Sequence, residues 1–204
     1  ILESDTIPHP AIEALFTIDE ETGMTGALNL KAGILKGSIL LNLDTEQDDE
    51  IDIGCAGGID VTAVGNYQME ELPADYSAWR ISVKGLNGGH SGMDIHKGLG
   101  NANKIMNRLL YKGFELFGLA VSEINGGSLR NAIPRESVAE LVIPENEASN
   151  FEVFIRTIED EIKFEHKTTD PNLFIATQPI EAVKKVLQKG FQFKLMKSLY
   201  ATAN

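Results

Sequence analysis

The sequence predicts an α/β unit over residues 1–60 joined to an α+β unit over residues 61–204, the second with an antiparallel sheet and flanking helices. Three observations predict this. An apolar run, a helical stretch and a second apolar run succeed one another before residue 45, the βαβ order of an α/β domain. Beyond residue 60 a strand with strict alternation is followed by amphipathic helices and further strands, as an α+β layer requires. The charge changes at the same place. Residues 1–60 hold 13 acids against Lys31 and Lys36, whereas the other 17 acids and 16 bases nearly cancel.

Taken in order, Pro8 and Pro10 punctuate the entry to residues 14–18, Ala-Leu-Phe-Thr-Ile, a short run that suits a buried parallel strand. Residues 23–35 place Met24, Ala27, Leu28, Leu30, Ala32 and Leu35 at near-helical spacing, with Gly33 and Gly37 as terminators. Residues 38–43 form a second buried strand that ends on Asp44. A polar stretch, 45–50, precedes an alternating segment, 51–56, which Gly57 and Gly58 break.

In the second unit Trp79, Ile81 and Val83 alternate with Arg80, Ser82 and Lys84, a half-buried antiparallel strand. Residues 98–112 are helical, with Ala102, Ile105, Met106, Leu109 and Leu110 on one face. Residues 116–124 and 138–143 read as strands. Phe151, Phe154, Ile155, Ile158 and Ile162 recur at three and four, a helix over 151–164. Residues 180–187 and 191–200 read as two more helices separated by Gly190.

Composition narrows the function. The chain has 204 residues, 43% of them hydrophobic, and a formal net charge of −12. No apolar run approaches the ~20 residues of a membrane helix. An acidic surface disfavours nucleic acid and anionic membranes, and suits cations. A single thiol, Cys55, excludes a disulfide scaffold and fits a reducing, cytoplasmic compartment. The first residue is Ile1 and no basic and apolar leader follows it, so the expectation is a processed chain or a fragment without a signal peptide.

Four constellations carry chemistry. Asp19-Glu20-Glu21 sits at the C-terminal edge of the first expected strand, where open α/β sheets bind ligands. Adjacent anions repel unless a cation or proton intervenes, although the same acids could simply charge a helix N-terminus. Asp44 ends the next strand and would share that rim, as a metal carboxylate or as an ordinary turn residue. Gly85-Leu86-Asn87-Gly88-Gly89-His90-Ser91-Gly92, continuing to Met93-Asp94-Ile95-His96, surrounds an imidazole with glycines that permit close approach, although His90 could equally be an ordinary turn residue. Gly126-Gly127-Ser128-Leu129-Arg130-Asn131-Ala132-Ile133-Pro134-Arg135-Glu136 offers guanidinium forks suited to a carboxylate, or simply surface arginines in a loop between strands.

In this order, these segments resemble the di-zinc aminoacyl-histidine dipeptidase family (Xaa-His or beta-alanyl-histidine dipeptidases, also called peptidase D). That family belongs to the group that includes carboxypeptidase G and aminoacylase. The resemblance runs from Phe16 to Gly26, then through Leu41-Asn42-Leu43-Asp44-Thr45-Glu46, Gly54-Cys55-Ala56-Gly57-Gly58, the His90 loop, Gly100-Asn101-Ala102-Asn103-Lys104 and the Arg135 loop. It implies a partial catalytic domain over 1–60 and a lid and dimerisation domain over 61–204. It also implies hydrolysis of dipeptides, two zinc ions per full-length subunit (other divalent metals being alternatives) and a homodimer through the lid.

By the same resemblance Glu20 is the general base and Glu21 and Asp44 are metal ligands. His90 stabilises the oxyanion of the partner's site, and Asn131 and Arg135 contact the substrate. The family's His-x-Asp motif, its bridging Asp and a late ligand His are missing, since His9, His90, His96 and His166 stand in no such context. The expectation is an internal fragment that is inactive alone. The alternatives are a related aminopeptidase or tripeptidase, an N-acyl amino-acid hydrolase, or a dimerisation module without catalysis.

Overall fold

The computed structural model describes residues 1, 3–21, 23–44, 49–55, 57–72 and 75–204. Thr22, Thr45, Glu46 and Ala56 of the segments above, and the start of the polar stretch at 45–48, lie outside the described residues. The chain divides into two compact units, Ile1–Gly58 and Ile59–Asn204.

The described residues of the first unit hold one short helix, α1 (Thr25–Leu28), and form no ladder. This corrects the reading of 14–18, 38–43 and 51–56 as strands and of 23–35 as a full helix. Phe16 is 90% exposed and Leu43 88% exposed. The physical reason is that a parallel strand is stable only when neighbours cover both its faces, and these residues supply none. Side-chain hydrogen bonds tie distant parts of the unit together instead. The Glu13 carboxylate accepts the backbone N–H groups of Lys36 and Gly37 at 2.8 and 2.7 Å.

The second unit contains β1 (Met69–Glu71), β2 (Tyr76–Lys84), β3 (Gly89–His90), α2 (Ala102–Phe117), β4 (Ala120–Gly126), β5 (Ala132–Ile133), β6 (Ser137–Pro144), α3 (Ala148–Glu165), β7 (Phe174–Ile180), β8 (Lys185–Leu187) and α4 (Lys189–Ala201). Four strands make an antiparallel sheet in the order β4-β6-β2-β7, and β1 pairs with β8 and β3 with β5. The α+β architecture with its antiparallel sheet and flanking helices is therefore as predicted.

Alternation along β2 sets the layering. Trp79, Ile81 and Val83 are buried in one core with Leu141 and Ile143 of β6 and with Ile105, Leu109, Phe151, Ile155, Ile158 and Ile162 of the helices. Phe151 lies at the centre of an aromatic group, its ring 5.8 Å from Trp79, 5.9 Å from Phe117 and 6.2 Å from Phe154. The intervening residues Arg80, Ser82 and Lys84 line a shallow concavity on the sheet together with Glu140 and Gln178. Arg80 and Glu140 pair there at 2.5 Å.

Helix α2 is capped as its sequence dictates. Asn101 accepts the N–H groups of Asn103 and Lys104, and Gly118 ends the helix at φ 68°. The Lys104 ammonium in turn donates to the Leu199, Tyr200 and Thr202 carbonyls at the end of α4, a favourable place for a cation. Buried Gln192 of α4 bonds twice to the start of β4, accepting the Val121 N–H at 2.7 Å and donating to the Leu119 carbonyl at 2.8 Å.

Two expectations change. Residues 116–117 belong to α2, and its strand neighbour begins at Ala120. Residues 180–187 are not a helix: Ile180 ends β7 and Lys185 begins β8. Backbone pairing decides this, with Trp79 opposite Pro179 and Met69 opposite Leu187. Pro179 fits because β7 is an outer strand, where a missing N–H costs little. No helix among the described residues is long and apolar enough to cross a membrane.

Candidate active site

In the first unit the acidic triplet forms a tight turn. Asp19 takes a left-handed conformation at φ 63°, one that Asp tolerates better than most residues. Its carbonyl accepts the N–H groups of Gly23 and Met24, and its carboxylate accepts the Thr25 hydroxyl at 2.8 Å. The Gly26 N–H donates to the Ile18 carbonyl, and a Cβ at Gly26 would lie 2.6 Å from the Ile18 nitrogen. Only glycine allows that approach. Glu20 and Glu21 stand exposed on the outside of this turn.

Asp44 is exposed at the end of the 38–44 segment, its N–H donating to the Asn42 side chain at 3.1 Å. Carboxylates are suitable oxygen donors for a divalent ion. Among the described residues, however, no three His, Cys, Asp or Glu side chains converge as a metal site. The described residues do not, on their own, make a zinc centre.

The second unit brings three predicted residues into one neighbourhood. His90 of β3 lies opposite Ala132 of β5, and Gly89 opposite Ile133. The Ser91 N–H extends this pairing by donating to the Asn131 carbonyl at 2.7 Å. Arg135 follows two residues after β5, and a Cβ on Gly88 would lie 3.3 Å from its own Cβ. His90, Asn131 and Arg135 are all exposed on or beside this ribbon. No carboxylate among the described residues pairs with Arg135.

The glycines of the His90 loop have steric work to do. A Cβ at Gly89 would press on the Asp94 carboxylate and Leu99 at 2.9 Å, and one at Gly92 would lie 3.3 Å from the His90 ring. Asp94 closes the loop, accepting the His90 N–H on Oδ2 at 2.7 Å while its Oδ1 pairs with Lys97 at 2.6 Å. Those two bonds, Lys97 first and the His90 amide second, hold the Asp94 carboxyl below the usual range. A lowered value means that both bonds persist throughout neutral pH and are lost only as acid titrates the folded carboxylate.

Asp170 anchors the same loop from behind. Its buried carboxylate accepts the Asn87 N–H at 2.9 Å and the Gly100 N–H at 2.8 Å, bracketing residues 87–100. Neither Asp94 nor Asp170 is legible as a supporting residue in the sequence. Asp94 has a faint signal, four residues after His90 in a glycine loop, whereas Asp170 has none.

Residues 81–170 match a family model described as a peptidase dimerisation domain. All 204 residues align at 37% identity with the cytosol non-specific dipeptidase of Escherichia coli (strain K12), of which they cover 42%. The crystal structure of aminoacylhistidine dipeptidase from Vibrio alginolyticus superposes with a TM-score of 0.76 at 37% identity, over 92% of this chain and 38% of that one. The chain thus spans about two fifths of the length of each of these relatives.

Proposed function

We propose, from the premise that this chain is homologous along its whole length to dipeptidases and contains a peptidase dimerisation domain, that it is the middle segment of a longer protein that hydrolyses dipeptides, including those ending in histidine. The observation that carries the reading is the 37% identity to a dipeptidase over all 204 residues, which takes in both the Glu20 turn and the His90 ribbon. Glu20 takes the proton of the attacking water, as a carboxylate general base does. Glu21 and Asp44 would be ligands in a two-zinc centre, which would need further ligands from the longer protein and would supply Lewis-acid activation of the water. His90 supports the developing oxyanion, Asn131 contacts the substrate, and the Arg135 fork holds its terminal carboxylate. The protein works in the cytoplasm, with neither membrane nor nucleic acid as a partner.

The test is hydrolysis of beta-alanyl-histidine and glycyl-histidine by the longer protein. Turnover is expected with zinc, lost on chelation and restored by added metal. The 204-residue chain with zinc is expected to be inactive, because a catalytic zinc takes about three protein ligands and no such set converges among the described residues. Hydrolysis of N-acyl amino acids in place of dipeptides would move the protein to the acylase branch. Turnover by the 204-residue chain alone would overturn the fragment reading.

The second unit is proposed to pair with another copy of itself. An α+β layer with an outer strand is suited to a two-fold contact, and the match to a dimerisation domain supports it. Sedimentation of the chain at high micromolar concentration is expected to show dimer, and monomer alone would count against the pairing.

A further inference from the structure

The imidazole of His90 is held by its own loop. The N–H groups of Gly92 and Met93 both donate to Nδ1, at 3.0 and 3.1 Å. An sp² ring nitrogen that accepts two amides has its lone pair committed, so the ring proton belongs on Nε2. Asp94 closes the arrangement from the other side: its N–H donates to the His90 carbonyl at 3.0 Å while its carboxylate receives the His90 N–H. Lys97 fixes the other carboxylate oxygen. No hydrogen bond among the described residues engages Nε2, and the residue is exposed. A free N–H donor is therefore presented outward on a backbone clamped at both ends.

We propose that Asp94 is a positioning residue for His90, closing the turn that keeps Nδ1 as an acceptor and offers Nε2–H as the donor to substrate. The proposal rests on the reading of His90 as the group that meets the oxyanion. A donor fixed in advance needs no tautomer change or reorientation as charge develops, which is the condition for effective electrostatic stabilisation. Without the Asp94 carboxylate the His90 amide loses its acceptor, the Gly92 and Met93 amides move off the ring, and the imidazole samples both tautomers and several rotamers.

Nitrogen-15 spectra of the histidine rings in the 204-residue chain test the clamp without any activity measurement. At neutral pH, His90 is expected to show an unprotonated Nδ1 and a protonated Nε2 in one sharp set of signals. Asp94→Ala is expected to average the two nitrogens towards the solution mixture, and Asp94→Asn, which keeps an acceptor for the His90 amide, to recover most of the native pattern. In the longer protein Asp94→Ala is expected to lower kcat by up to about 10²-fold with little change in KM, the scale of a displaced catalytic group. A native His90 protonated on Nδ1, or a native pattern retained in Asp94→Ala, overturns the proposal. If the ring signals respond as expected but His90→Ala turns over normally, the reading of His90 fails and the proposed catalytic role of Asp94 fails with it.

Discussion

Turnover of the longer protein proposed above is expected to fall by at least ~10²-fold in Glu20→Ala, the lower end of what a general base contributes, with its metal content expected to stay at the native level. The two readouts separate the roles of neighbouring acids. Glu20 and Glu21 lie side by side on the outside of the Asp19 turn, whose bonds run through Asp19, Gly23, Met24 and Thr25 and through neither glutamate. Removing the Glu20 side chain therefore leaves the turn intact. If Glu20 is the base, the substitution abolishes proton transfer and spares metal. If it is a ligand, metal is lost in parallel with activity. Metal analysis alongside a dipeptide assay distinguishes the two, and near-native kcat in Glu20→Ala would remove the residue from the mechanism altogether.

The largest structural effect is expected at Phe151, which is fully buried and packs against Trp79, Phe117 and Phe154. Phe151→Ala deletes the ring that joins β2, α2 and α3, and costs about 3–5 kcal/mol through lost burial and an unfilled cavity. Domains of this size are stable by only ~5–15 kcal/mol, so a substantial part of the folding free energy goes with one side chain. Urea unfolding of the 204-residue chain, followed by circular dichroism, measures the loss as a lower midpoint at an unchanged slope. A loss below ~1 kcal/mol would show that the neighbouring rings collapse into the space.

The two units differ in how much of them could be read in advance. The alternation from Trp79 to Lys84 was legible because one face of β2 meets the helices and the other the solvent, and the Phe151 to Ile162 periodicity was legible for the same reason. Residues 174–180 were not, because only Ile175 is deeply buried and the strand is held by its backbone ladder to β2. In the first unit the apolar runs at 14–18 and 38–43 have the composition of central strands, yet composition cannot supply the neighbours that such strands require. At the site, the glycines around His90 drew attention to the imidazole. The supports of its loop stayed hidden because Asp94 and Asp170 act on backbone amides, which every residue carries alike.

The bonds that Gln192 makes to Leu119 and Val121 bear on how the molecule behaves in a crowded solution. An open sheet with two bare borders can recruit a copy at each, and such growth has no natural end. Here both outer strands carry a side-chain bond to their backbone: Gln192 meets the Val121 N–H and the Leu119 carbonyl at the start of β4, and the Glu159 carboxylate accepts the Ile175 N–H of β7 at 3.1 Å. A backbone amide already bonded in this way is not offered to an incoming strand. Side-chain bonds of this kind on both outer strands work against open-ended growth by strand addition.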